Sequence, residues 1–218
     1  MMRQIDVILF DLDNTLYHPD CGLLEAGDRA ITEFIADRLQ MSWDEADRLR
    51  VRTWLEYGAT ARGLEVEFGI PQREFFAGSI ERVPIGEYLR PQPELRAMLE
   101  TLDQRLYVFT NAPSVYARRT LEALGVADLI DEVFDIEVTG GSPKPECDCY
   151  DHVLAKIGAP AERVALLEDT EANLEPAAEL GLLTIKVGSP PPEGEHLYLE
   201  ELLGLPELLK TGDGARRG

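Results

Sequence analysis

The sequence predicts an α/β protein whose doubly wound parallel sheet has an inserted α-helical cap domain. Short apolar runs alternate with amphipathic helical patterns along most of the chain, and this alternation is typical of a parallel sheet covered by helices. After the first apolar run, a stretch of about seventy residues shows helical periodicity alone. The predicted core therefore comprises residues 1–16 and 90–195, the cap comprises residues 17–89, and residues 196–218 form short helices and a disordered tail.

The predicted core strands are short apolar runs with polar residues at their ends. The first lies in residues 5–10 and stops at Asp11 and Asp13. An apolar run of this kind indicates a strand that is buried in a parallel sheet. Further strands are predicted at 106–109, 133–136, 164–167 and 183–187, with helices beginning near Pro93 and covering 115–124, 150–157 and 171–180.

The predicted cap is helical because its apolar residues recur every three or four positions. This spacing extends from Leu23 to Leu39. Ser42 followed by Glu45 has the pattern of a capping box, which predicts that a second helix begins there. Three glycines and a proline then divide the segment into shorter helices. They are Gly58, Gly63, Gly69 and Pro71.

The composition is acidic and gives the chain a formal net charge of −20. Nucleic-acid backbones are bound by clustered Lys and Arg side chains, so this charge argues against a nucleic-acid partner. No apolar run reaches the roughly 20 residues of a membrane span, and the first run lacks the pattern of a signal peptide. We therefore expect a cytoplasmic protein without a membrane partner, and both a monomer and a homodimer fit the sequence.

Polar pairs follow three of the predicted strands, at the point where each strand ends. They are Asp11 and Asp13, Thr110 and Asn111, and Glu168 and Asp169, and Lys144 lies in a loop at the same edge. The carboxyl ends of parallel strands meet at one edge of a sheet, where ligands of open α/β sheets bind. An aspartate pair is also common in turns. The convergence of four polar sites instead favours phosphoryl transfer, in which a carboxylate attacks phosphorus while cations hold the other oxygens.

These residues resemble the motifs of the haloacid dehalogenase-like (HAD) hydrolase superfamily, whose core is a Rossmann-like doubly wound sheet. The matching stretches are Asp11-Leu12-Asp13-Asn14-Thr15, Thr110-Asn111, Lys144-Pro145 and Glu168-Asp169. The resemblance implies that Asp11 is the nucleophile and becomes an aspartyl phosphate, and that Asp13 is the general acid and base. It also implies that Thr110 binds the phosphoryl group and that Lys144 stabilises its charge.

The resemblance further implies a Mg²⁺ cofactor. Its expected ligands are the side chains of Asp11 and Asp169 and the backbone carbonyl of Asp13, with Glu168 as a direct or water-mediated ligand. A dehalogenase of this fold has no need of such a set and usually lacks the second aspartate, so Asp13 favours a phosphatase. The expected activity is hydrolysis of a small phosphorylated metabolite.

Within the superfamily, the chain is similar to the pyrimidine 5′-nucleotidase-like branch, which implies a nucleoside 5′-monophosphate as substrate. The matching stretches include Tyr57-Gly58-Ala59-Thr60 and Thr110-Asn111-Ala112. Asn111, Tyr57 and Arg62 are then the expected substrate-binding residues. The sequence departs from the usual residues of that branch at three positions. They are Ala59, Tyr116 and Glu168.

Two alternatives remain open. A sugar-phosphate phosphatase fits the sequence because the cap offers arginines as binders of phosphate or hydroxyl groups. They are Arg48, Arg50, Arg52 and Arg62. The pattern predicts a solvated helix face for the first three, so Arg62 is the better candidate. The alternative from another class is a non-catalytic phospho-ligand-binding or regulatory protein, against which the intact set of acids and Lys144 argues.

Overall fold

The computed structural model describes residues 4–190 and 196–211. Within these residues one sheet contains six strands. They are β1 (Val7–Phe10), β2 (Arg105–Phe109), β3 (Glu132–Phe134), β4 (Val164–Glu168), β5 (Leu183–Val187) and β6 (Leu197–Leu199). All neighbouring strands pair in parallel, in the order β3-β2-β1-β4-β5-β6. The predicted doubly wound α/β architecture is therefore confirmed.

The helices fall into an inserted group and a group that connects the strands. The inserted group follows β1 and comprises α1 (Leu23–Leu39), α2 (Trp43–Tyr57), α3 (Thr60–Phe68), α4 (Gln72–Gly78) and α5 (Ile85–Tyr88). The second group comprises α6 (Pro93–Leu99), α7 (Ser114–Leu124), α8 (Cys147–Ile157), α9 (Glu171–Glu179) and α10 (Leu205–Thr211). The capping box predicted for α2 is present, because the side chains and backbones of Ser42 and Glu45 are hydrogen-bonded reciprocally.

Strand β1 lies in the middle of the sheet and is completely buried. Its side chains alternate between two faces. Ile8 and Phe10 belong to one hydrophobic cluster, whereas Val7 and Leu9 belong to a cluster on the other face. Because helices cover both faces, solvent reaches β1 only at its ends, and its carboxyl end leads directly to Asp11.

The inserted helices have a hydrophobic cluster of their own, which includes Ile35, Leu64 and Phe75. Both ends of the insertion also contact the core, since Leu23 and Ile85 belong to the larger core cluster. The boundaries 17–89 and 90–195 remain predictions, with apolar contacts shared across them.

The structure differs from the sequence prediction after Ser189. Residues 197–199 form strand β6 beside β5, where the sequence predicts a helix. The pattern of three half-buried residues is too short to indicate a strand, and pairing with β5 decides the conformation. Helix α10 follows as predicted, and the predicted disorder of 212–218 lies outside the described residues. Among the described residues, no helix is long and apolar enough to cross a membrane.

Candidate active site

Lys144 is the centre of the site at the carboxyl edge of the sheet. Its Nζ atom lies 2.7 Å from Asp11 Oδ1 and 2.5 Å from Glu168 Oε2, and it donates to the carbonyl of Phe109 at 2.9 Å. The side chain is 1% exposed. Burial lowers the pKa of Lys144, but the charges of Asp11 and Glu168 outweigh this effect and raise it above its ordinary value. Lys144 is therefore a permanent cation between two buried carboxylates.

Asn111 fixes the loop that carries Lys144. Its Nδ2 atom donates to the backbone carbonyl of Lys144 at 2.9 Å, and its Oδ1 atom accepts from the backbone N–H of Lys144 at 2.7 Å. Asn111, which follows the end of β2, thus uses both polar atoms of its side chain to position Lys144. Asn111 also lines the cavity described below, so its predicted contact with substrate remains a prediction.

Asp11 and Asp13 have different surroundings although they are two residues apart. The backbone N–H of Asp11 donates to Leu167 at 2.8 Å, which continues the parallel pairing beyond β1. The Oδ1 atom of Asp13 accepts hydrogen bonds from the hydroxyls of Tyr17 and of Tyr116, the latter at 2.9 Å. Burial raises the pKa of Asp13, while the two hydroxyl hydrogen bonds act in the opposite direction.

The carboxylates at this edge fit a divalent cation. Asp11, Glu168 and Asp169 each offer an oxygen within 4.8 Å of the others. Burial raises the pKa of Asp11, and the charge of Glu168 adds to this effect despite Lys144. Burial and the charge of Glu168 raise the pKa of Asp169 to about 7. Such a cluster of hard oxygens matches the ligands that Mg²⁺ prefers, and a cation would relieve the repulsion between them.

The three carboxylates are not equally free to bind a cation. Glu168 Oε2 accepts from Lys144, and Glu168 Oε1 accepts from the backbone N–H of Thr170 at 3.1 Å. The Oδ2 atom of Asp169 contacts Asn14 Nδ2 at 3.4 Å, and Asn14 Oδ1 is buried without a hydrogen-bond partner. Asp11 and Asp169 are therefore the better direct ligands, and Glu168 fits the water-mediated role that the sequence left open.

A cavity of about 310 Å³ opens above these residues, between the core and the inserted helices. Its core wall includes the nucleophile candidate and the other predicted catalytic groups. They are Asp11, Asp13, Thr110, Lys144, Glu168 and Asp169. The Oγ1 atom of Thr110 accepts from the backbone N–H of Ala112 at 3.0 Å, so its hydroxyl hydrogen can be donated to a ligand. The structure thus brings all the predicted catalytic and metal-binding residues together.

The cap wall of the cavity differs from the sequence prediction. Arg50 and Trp54 of α2 line the cavity, whereas Tyr57 and Arg62 do not. The Arg62 guanidinium lies 3.6 Å from Glu65, and the Tyr57 hydroxyl contacts Glu67. The assignment of Arg50 to a solvated helix face is wrong, because its side chain is only 16% exposed.

Arg50 forms two ion pairs. Its Nη1 atom lies 2.8 Å from Asp28 Oδ1 and its Nη2 atom lies 2.9 Å from Asp47 Oδ1. Asp28 also lines the cavity, so the Asp28 carboxyl group and the Arg50 guanidinium both face the space above the predicted catalytic residues. Arg50 and Trp54 are four positions apart, so their side chains share one face of α2. This spacing is visible in the sequence, but it indicates cavity-lining residues only when the orientation of α2 is known.

The fold and site define a hydrolase in which a buried lysine and several carboxylates meet below a helical cap. Residues 5–181 match the family model of the haloacid dehalogenase-like hydrolases. The chain belongs to this family, which confirms the superfamily inferred from the motifs. The match does not distinguish among branches, so the pyrimidine 5′-nucleotidase-like branch remains a prediction.

Curated relatives and solved structures agree with this assignment. Phosphate metabolism protein 8 of Saccharomyces cerevisiae is 27% identical over 81% of this chain, and the chain spans 59% of that protein's length. Ribulose-1,5-bisphosphate 5-phosphatase of Halopiger xanaduensis is 31% identical, with 82% of each chain covered. The crystal structure of a HAD phosphatase from Thermococcus onnurineus has a TM-score of 0.66 and 18% identity, covering 94% of this chain and 98% of that one, and it shows the shared fold.

Proposed function

We propose that this protein is a Mg²⁺-dependent phosphomonoesterase that hydrolyses a small phosphate monoester through an aspartyl phosphate on Asp11. The observation that supports the proposal most directly is the convergence of Asp11, Asp13, Lys144 and Asp169 in one cavity. A nucleophile, a second acid, a fixed cation and a metal-binding carboxylate are the groups that phosphoryl transfer requires.

In the first step, a carboxylate oxygen of Asp11 attacks phosphorus while the ester P–O bond breaks. Asp13 gives its proton to the leaving oxygen, so that an alcohol departs. In the second step, Asp13 takes a proton from water as that water attacks phosphorus, which releases inorganic phosphate and restores Asp11. Lys144 and the Thr110 hydroxyl stabilise the phosphoryl oxygens. Asp11 and Asp169 would hold Mg²⁺, which would supply further positive charge to neutralise the phosphate.

The cavity supports a sugar monophosphate as substrate. Its volume of about 310 Å³ is at the small end of ligand pockets, which range over about 300–1,000 Å³. The cap wall contains Arg50 and Asp28, and Arg50 is already paired with Asp28 and with Asp47 behind it, so its charge is compensated and attracts a second phosphate poorly. The same groups offer donors and acceptors to sugar hydroxyls. The name of the Halopiger xanaduensis relative describes a phosphatase of a sugar bisphosphate, so it supports the sugar class of substrate and not the preference for a monophosphate.

The nucleotide substrate expected from the sequence is the competing candidate. Trp54 lines the cavity and is 51% exposed, so its ring offers a surface on which a base could stack. A single half-exposed ring is a weaker feature than the paired Arg50 and Asp28. The two candidates therefore differ in which residue of α2 contacts the leaving group.

Phosphate release from a panel of esters tests the proposal. The panel contains sugar monophosphates, a sugar bisphosphate, pyrimidine nucleoside 5′-monophosphates and 4-nitrophenyl phosphate, each with Mg²⁺ or with EDTA. We expect Mg²⁺-dependent release that is fastest on a sugar monophosphate and lost in Asp11→Asn. No release from any ester would refute the phosphatase, release with EDTA would refute the metal requirement, and faster release from pyrimidine nucleotides would refute the sugar preference.

A further inference from the structure

Two buried tyrosines meet at one oxygen of Asp13. Tyr17 belongs to the loop after β1, and Tyr116 belongs to α7. Both hydroxyls donate to Asp13 Oδ1, and the two hydroxyl oxygens lie 3.4 Å apart. The two tyrosine residues are 3% and 0% exposed, so both side chains are buried.

This arrangement leaves the two carboxyl oxygens of Asp13 unequal. A tyrosine hydroxyl has one hydrogen to donate, and both hydroxyls direct theirs to Oδ1. A phenol ordinarily ionises near about pH 10, so both hydroxyls are protonated donors at neutral pH. Oδ1 is thus occupied as an acceptor, and Oδ2 is the oxygen left to exchange a proton.

We propose that Tyr17 and Tyr116 are positioning residues that hold Asp13 by Oδ1, so that Oδ2 transfers the proton to and from the reacting oxygens. The inference rests on the proposed phosphatase function and adds two residues to it. Neither tyrosine touches the substrate in this scheme. Because they come from different elements, they fix the Asp13 carboxyl group from two directions and restrict its rotation about Cβ–Cγ.

The proposal predicts an effect that depends on the leaving group. An alkoxide is a poor leaving group and needs a proton as the P–O bond breaks, whereas 4-nitrophenolate leaves without one. The ratio kcat/KM reports the steps up to formation of the aspartyl phosphate and excludes its later hydrolysis. Misplacing the Asp13 proton should therefore lower kcat/KM for an alkyl phosphate and largely spare 4-nitrophenyl phosphate.

The experiment measures kcat/KM of Tyr17→Phe, Tyr116→Phe and the double variant on two substrates. These are 4-nitrophenyl phosphate and the best alkyl phosphate of the panel. We expect a loss of about tenfold for each single variant and about 100-fold for the double variant on the alkyl ester, with less than about threefold on the aryl ester. The ratio of the two values does not depend on the folded fraction, so a destabilised variant remains informative.

Tyr107→Phe is the matched control, because the Tyr107 hydroxyl is also on a largely buried ring but contacts Arg105, away from the cavity. It should leave the ratio of the two kcat/KM values unchanged. In an Asp13→Asn background, removing the hydroxyl of Tyr17 or Tyr116 should not change the ratio of the two kcat/KM values further, because the carboxyl group that these hydroxyls position is absent. Equal losses on both esters, no loss, or a further loss in the Asp13→Asn background would overturn the proposal. If the unaltered protein released phosphate from neither ester, the proposed function itself would fail.

Discussion

Lys144 Nζ lies 2.7 Å from Asp11 Oδ1, so the cation proposed to bind the phosphoryl group is already paired with the carboxylate proposed to attack it. The charge of Lys144 lowers the pKa of Asp11 and so opposes burial and the charge of Glu168, which together raise it above its ordinary value. In the proposed mechanism, Lys144 thus contacts the nucleophile before attack and stabilises the phosphoryl charge during it.

Replacing Lys144 by Met should reduce both turnover and stability. We expect kcat to fall by about 10²–10³-fold, since one charge-stabilising donor is lost. The free energy of unfolding should fall by about 3–5 kcal/mol at pH 7.5, because Asp11 and Glu168 lose their buried partner. Phosphate release and urea denaturation measure the two effects. Lys156→Met is the control, because Lys156 is exposed and its ion pair with Glu132, at 4.0 Å, is weak. A similar loss of turnover and stability in Lys156→Met would contradict the prediction.

Replacing Asp169 by Asn should abolish Mg²⁺ stimulation and yet stabilise the metal-free protein. The pKa of Asp169 is about 7 in the folded protein against an ordinary value of 3.8. Between pH 3.8 and about pH 7, the unfolded chain therefore binds fewer protons than the folded protein. The free energy of unfolding falls as pH rises through this range. An Asn side chain does not ionise, so the variant does not lose stability as pH rises.

Thermal denaturation in EDTA measures the effect of Asp169→Asn. We expect a gain of about 1–2 kcal/mol, equal to about 2–8 °C in Tm, at pH 8. The gain should be smaller at pH 5, because the unaltered protein has lost less of its stability at that pH. Added Mg²⁺ should raise the Tm of the unaltered protein at pH 8 and not that of the variant. A variant that is less stable at pH 8 than the unaltered protein would contradict this account.

The cap arginines provide a direct test of the substrate assignment. Arg50→Gln should raise KM for the preferred sugar monophosphate by about 10- to 100-fold, because a charge-assisted hydrogen bond is worth about 1.5–3 kcal/mol. Arg62→Gln should change KM by less than about twofold, since Arg62 lies outside the cavity lining. Steady-state kinetics on the same ester measures both. The reverse order of effects would restore Arg62 as the substrate residue.

Gly58 controls how closely the cap approaches the catalytic loop. A Cβ atom at Gly58 would lie 3.2 Å from the Lys144 carbonyl, whereas one at Gly69 would meet nothing within 4 Å. Both glycines have a positive φ, so alanine should cost each about 1–2 kcal/mol of stability. Gly58→Ala should in addition lower kcat/KM by about tenfold, because moving Lys144 misaligns the site. Equal kinetics for the two variants would contradict this role.

The sequence predicts the core wall of the site better than the cap wall. Asp11, Thr110 and Asp169 follow buried strands, and the parallel arrangement of those strands is enough to bring them together. Arg50 is different, since a polar residue on an amphipathic helix faces either solvent or a cavity with the same local pattern. Its position depends on how α2 packs against the core. The pairing of Tyr17 with Tyr116 likewise depends on where α7 lies.

The catalytic contacts join distant parts of the chain. Lys144 is 133 positions from Asp11, and Tyr116 is 103 positions from Asp13. The inserted helices, by contrast, pack mainly against their neighbours in sequence, as α1 does with α2 and α2 with α3. Contacts across long separations carry a loop-closure cost and slow folding. During synthesis the cap can therefore form early, whereas the nucleophile acquires its chemical environment only after the chain has extended beyond Asp169, so the enzyme cannot act before its sheet is assembled.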